Sequence, residues 1–132
     1  MLDTKAVEQK EQEPKILLYR GISKKYEGEI GHWWSTNPYY AFKYAEGGKG
    51  EMYFVKILES DLKKDASDVS LESNYENYFF KKDPSNARKV TQKELDTLES
   101  NTTFTKAGPG GLMMKTPENA VEIGKTIFDK DN

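Results

Sequence analysis

Three short stretches hold the side chains best suited to a reaction: Arg20 in "LYRG", Ser35 and Thr36 in "WWSTNP", and Glu118 in "KTPENAV". An arginine offers a planar fork of N–H donors that matches phosphate or ribose oxygens two at a time. Paired hydroxyls beside rings can order a small polar pocket, and a carboxylate stabilises positive charge as it develops in a transition state. Trp33, Trp34, Tyr40 and Tyr44 crowd the same region. Aromatic faces hold a flat cation with about 1 kcal/mol or more per desolvated contact.

The same residues have plain structural uses. Thr36 or Asn37 can cap a following helix through a side-chain oxygen. Tyr40 and Tyr44, four apart, share one helix face with Ala41 and Ala45 beside them. An arginine at a strand end needs no ligand.

Whatever positions these groups is small. The chain has 132 residues, the length of one domain, and folding buries roughly two-thirds of its unfolded surface. Charged residues make up 32% with a net charge of -2, so the basic face that nucleic-acid partners require is missing. There is no cysteine and one histidine, His32; disulfides, thiolate metal sites and histidine-built metal sites are therefore not expected. No run approaches 18 apolar residues, and the opening "MLDTKAVEQKEQEPK" lacks the apolar centre of a signal peptide. The expectation is a metal-free cytoplasmic protein with no membrane contact, built as a flexible tail over 1–14 and one domain over 15–132.

The elements follow from pattern. "KILLYRG" is a short apolar run closed by glycine and reads as a strand ending at Arg20. "HWWS" reads as a second strand, because rings suit a pleated surface. Asn37-Pro38 starts a helix, with asparagine as cap and proline preorganised behind it, and Gly47-Gly48 stops it. "EMYFVKIL" puts Tyr53, Val55 and Ile57 on one face, with Met52, Phe54 and Leu58 on the other, and predicts a central strand.

Between 59 and 84 the pattern weakens: "SDLKKD" reads as a helical turn, and "NYENYFFKK" as an edge strand or a loop. Thr91 with Glu94 three positions on is a capping box for a helix over 92–99. "AGPGG" reads as a turn, followed by three short strands in "LMM", "AVEI" and "TIF".

This order resembles the ADP-ribosyltransferase superfamily: a strand ending in Tyr-Arg-Gly, then aromatic-aromatic-Ser-Thr entering a helix, a strong strand, and a late glutamate. The Arg-Ser-Glu branch is the one matched, since an arginine stands where another branch has histidine. The resemblance is most specific over 15–58 and looser over 112–128. It implies an α+β fold with a split, mainly antiparallel sheet and a few short helices, and a nucleotide cleft between sheets.

It also implies NAD as a substrate, with Arg20 and Gly21 at the dinucleotide, Ser35 and Thr36 supporting the nicotinamide site, and Trp34, Tyr40 or Tyr44 stacking on the ring. Glu118 is the implied catalytic glutamate and Glu122 the second candidate. The implied activity is mono-ADP-ribosylation of a protein, or NAD hydrolysis with water as acceptor; a catalytically silent member acting as a binding or inhibitory module is the other reading. The acidic or glutamine residue that often stands two before the glutamate in arginine-specific members is replaced by Thr116. The small lysine-rich format resembles effectors carried by bacteriophages and mobile elements.

Overall fold

The computed structural model describes residues 13–23, 32–45, 50–106 and 112–129. Most of the N-terminal tail, the Gly47-Gly48 stop and the "AGPGG" turn lie outside them. The described elements are strands β1 (Lys15–Ile22), β2 (His32–Ser35), β3 (Glu51–Leu58), β4 (Asp68–Leu71), β5 (Glu76–Phe80), β6 (Arg88–Lys89), β7 (Thr103–Lys106) and β8 (Leu112–Lys115). Between them run helices α1 (Pro38–Tyr44), α2 (Glu59–Asp65), α3 (Gln92–Ser100) and α4 (Ala120–Phe128). The fold is α+β, with an antiparallel six-stranded sheet in the order β4-β5-β2-β1-β3-β6 and a separate β7-β8 pair. No helix among the described residues is long and apolar enough to cross a membrane.

The large sheet is buried on both sides around β1, whose alternating side chains feed two cores. Leu17 and Tyr19 join Phe54, Phe42, Leu98, Ile127 and Phe128 under α1, α3 and α4. Leu18 joins Trp34, Val55, Ile57, Leu62 and Phe80 under α2. Tyr19, Phe54 and Phe128 form a ring triangle with centroids 4.9–5.5 Å apart. β3 pairs with β1 along its whole length but has only two-residue β6 on its other side, so β1 and β2, rather than β3, hold the centre.

Helix α1 starts as its sequence dictates. The Asn37 side chain accepts from the amides of Tyr39 and Tyr40, and Pro38 occupies the first turn. Helix α2 is fastened by the chain ahead of β1, where the Pro14 carbonyl accepts from Glu59 N and the Glu13 carboxylate from Ser60 N at 2.7 Å.

Two readings of the sequence change. Residues 120–128 form a helix, not two strands: Ala120, Ile123, Gly124, Ile127 and Phe128 recur at helical spacing and face the core, so Gly124 is no breaker. A Cβ there meets the Tyr19 hydroxyl at 2.6 Å and Pro38 Cγ at 3.0 Å, so the glycine lets α4 lie close on β1 and α1. The stretch "ENYFF" is an inner strand, held between β2 and β4.

Gly21 has a steric reason to follow Arg20. A Cβ there sits 1.7 Å from the Ala41 carbonyl oxygen of α1, and a helix backbone cannot yield as a side chain does. Gly21→Ala should destabilise the fold by about 2 kcal/mol or more in chemical denaturation; a change within about 0.5 kcal/mol refutes the close packing.

Helix α3 carries the predicted capping box, with Thr91 and Glu94 bonded reciprocally. Arg88 adds two 2.9 Å bonds to the Glu94 carboxylate and lies 5.0 Å over the Phe54 ring. Burial alone raises the Glu94 carboxyl, but Arg88 and Thr91 together outweigh it and hold it at about 2, below the ordinary 4.5. A depressed carboxyl stabilises the fold above its unfolded value and loses that contribution as pH falls through the folded one. The stability gap between wild type and Glu94→Gln should be widest above about pH 4.5 and close by about pH 2; a gap that does not vary with pH contradicts the assignment.

Candidate functional site

Alternation along the strands sorts the candidate residues by face. Arg20 shares the face of Leu18, and on β2 His32 and Trp34 share it too. All three converge on Asp83, in the segment between β5 and β6. Arg20 Nη1 donates to Asp83 Oδ2 at 2.9 Å, Trp34 Nε1 donates to Oδ1 at 3.1 Å, and His32 Nδ1 lies 3.0 Å from Oδ1. A carboxylate only accepts, so that histidine nitrogen carries hydrogen. Side-chain exposure is 11% for Arg20, 15% for His32 and 38% for Asp83, so the cluster opens to solvent on the Asp83 side.

Thr36 continues this face past the end of β2 and meets Glu76 at the start of β5. Glu76 N donates to Thr36 Oγ1 at 3.0 Å, Thr36 N donates to Glu76 O at 2.9 Å, and Thr36 Oγ1 stands 3.4 Å from the carboxylate Oε2. Two residues on, Tyr78 lies opposite Trp34. Burial first, then the Glu76 and Glu59 carboxylates, raise its phenol.

An aromatic group stands beside this junction. Tyr40, on the outer side of α1, lies 5.0 Å from Tyr44 and 5.8 Å from Tyr75, ring centre to ring centre, and Tyr75 immediately precedes Glu76. The Tyr40 and Tyr44 hydroxyls are 3.3 Å apart. That hydrogen bond, then burial and the nearby Tyr44, Tyr75 and Glu72, push Tyr40 up to about 12. Tyr44 is exposed and Tyr40 partly so.

The remaining candidates face elsewhere. Ser35 points to the opposite side of the sheet, fully buried, where its Oγ accepts from Asn37 N; adjacent strand residues cannot share a face, so Arg20 and Ser35 do not line one cleft. Gly21 lies under α1. Glu118 is exposed in the turn before α4, and Glu122 is on that helix beside Lys125 at 3.6 Å. Because α4 covers the Tyr19 face, both glutamates stand across the sheet from Arg20. Trp34 is core, with only its indole N–H reaching the cluster, while Trp33 is 44% exposed against Phe79.

Sequence reading missed Asp83, Tyr75 and Glu76. Asp83 precedes Pro84 and looks like an ordinary turn residue, but the alternation Glu76-x-Tyr78-x-Phe80 was a usable strand signal. No cluster of three or more His, Asp or Glu that could hold a metal occurs among the described residues. A groove of about 530 Å³ between β3, α2 and residues 84–86 is lined by Lys15, Val55, Ile57 and Asp61 and involves none of these groups. Comparisons with protein-family models, curated proteins and solved structures found no match.

The Thr36–Glu76 junction is testable by itself. Thr36→Val leaves the part-buried Glu76 amide without its acceptor and should cost about 1 kcal/mol or more, whereas Thr36→Ser keeps the oxygen and most of the stability. A loss in Thr36→Ser with none in Thr36→Val in urea denaturation would show that the methyl group, not the hydroxyl, matters.

Proposed function

We propose that the protein is a mono-ADP-ribosyltransferase that uses NAD as substrate and modifies a partner protein, with NAD hydrolysis as its water-accepting side reaction. One observation carries this reading: Arg20 on β1, Thr36 just past the end of β2 and Glu76 on β5 fall on one face by strand alternation, with Glu76 bonded to the Ser-Thr motif. Glu76 therefore takes the role that resemblance assigned to Glu118. The α+β architecture, with its six-stranded antiparallel sheet and short helices, is compatible with the ADP-ribosyltransferase fold that the motif order suggests.

In this reading Arg20 grips the diphosphate or a ribose hydroxyl through its fork. As the ribose–nicotinamide C–N bond breaks, its electron pair leaves with nicotinamide, which departs neutral, and positive charge spreads over the ribose C1′ and ring oxygen. Glu76 stabilises that charge and Thr36 fixes the carboxylate's direction. The acceptor nucleophile adds at C1′ and its proton passes to a base or to water. Neither a metal nor a cysteine is needed for these steps.

A second reading, a catalytically silent binding module, has one observation in its favour: the Arg20 guanidinium is already engaged by Asp83. Purified protein incubated with labelled NAD and a bacterial lysate separates the two. Nicotinamide release and macromolecular label should both appear and fall on the order of 10²-fold in Glu76→Gln, with a smaller loss in Glu118→Gln or Glu122→Gln. No release and no label would count against the transferase and favour the binding module; a larger loss in Glu118→Gln would return the catalytic role to that residue.

A further inference from the structure

We propose that Asp83 is the positioning residue of Arg20: β2 holds the Asp83 carboxylate, and the carboxylate in turn sets the direction of the guanidinium. The inference deepens the nucleotide-binding reading of Arg20 and rests on it for its effect on NAD.

An arginine side chain has about 2 kcal/mol of rotamer entropy to lose, so an unguided fork is a poor receptor for a diphosphate. Here the guidance is chained. Trp34 is 1% exposed and locked in the core, and its indole N–H meets Asp83 Oδ1 at 3.1 Å. His32, two residues earlier on the same face, meets that same oxygen at 3.0 Å. Two ring donors on one strand thus fix one carboxylate oxygen, and the other is left aimed at Arg20 Nη1, 2.9 Å away.

The backbone contributes as well. Pro84 restricts the residue before it to extended conformations, which limits how far Asp83 can swing. Anchoring Nη1 of a planar group that carries five N–H donors narrows the directions in which the rest of the group can turn. A carboxylate beside an anion-binding arginine looks adverse on charge alone. Its three-donor geometry explains it as a strut: the orientation is prepared before the nucleotide arrives, and the electrostatic cost is limited because Asp83 is the most exposed member of the group.

The test compares wild type with Asp83→Asn, Asp83→Ala, Arg20→Ala and the Arg20→Ala/Asp83→Asn double variant, reading two signals by NMR and the NAD dissociation constant by calorimetry. The Arg20 Nε–Hε resonance, identified by its loss in Arg20→Ala, reports the fork; the Trp34 indole resonance reports the packing. Asp83→Asn keeps an acceptor for the indole, so the Trp34 signal should stay in place while the Arg20 signal shifts and broadens. NAD affinity should fall about tenfold, and the double variant should bind no worse than Arg20→Ala alone, because residues acting through one another are not additive. An Arg20 signal and an affinity unchanged in both Asp83 variants, or losses that add in the double variant, would overturn the proposal. If wild type binds no NAD, the nucleotide reading falls, and the Arg20 signal alone decides whether Asp83 positions it.

Discussion

Burial of β1 on both faces is the constraint from which the remaining architecture follows. A strand with Leu17 and Tyr19 in one core and Leu18 in the other needs a layer on each side, and it must have neighbours that satisfy its backbone along its length. β3 supplies eight paired residues, and β2 meets it on the other edge at Tyr19–Ser35. Helices α1, α3 and α4 then close one side, and α2 with residues 84–87 closes the other. Arg20 stands where this two-sided burial ends, close enough to the core to be held and near enough to the edge to be reached.

The sheet also divides the chain's polar chemistry. On one side stand two polar groups, the Asp83–Arg20–His32 cluster and the Thr36–Glu76 pair, with the buried Trp34 between them along β2. On the other, Ser35 and Asn37 are absorbed into the start of α1, and the buried Tyr19 phenol is raised far above its ordinary range, chiefly by desolvation. Adjacent hydroxyls in one motif therefore have different duties: Ser35 serves the helix start and Thr36 serves the β2–β5 junction. A pocket argument that counts both as ligand contacts conflicts with the pleat.

Local signals were the legible ones. The apolar runs of β1 and β3, the Asn37-Pro38 start of α1 and the Thr91–Glu94 box of α3 are short-range features, and each appears within a residue or two of its expected place. The α4 helix was misread because Gly124 looked like punctuation, whereas its real cause is a tight approach between elements far apart in sequence. β5 was obscure because its pattern is mixed: Asn77 is buried while Glu76 and Phe79 are only partly covered. Its pairing with β2 spans about forty residues that no local window contains. Arg20 and Thr36 stand out in the sequence by type and spacing, but the carboxylates that meet them, Asp83 and Glu76, depend on that distant pairing.

Tandem tryptophans on a single strand carry a folding hazard. A one-residue slip of β2 turns every side chain to the opposite face, and here the slip exchanges one indole for another, so hydrophobic burial alone barely distinguishes the right alignment from the wrong one. The indoles reside in very different places in the native protein, Trp34 at 1% exposure and Trp33 at 44%. Discrimination therefore falls to the polar groups around them: the Asp83 carboxylate accepts from Trp34, the Thr36–Glu76 bonds clamp the strand end, and the Asn37 cap commits the next residues to helix. These polar bonds, satisfied only in the native register, therefore specify the alignment of β2 where burial alone does not.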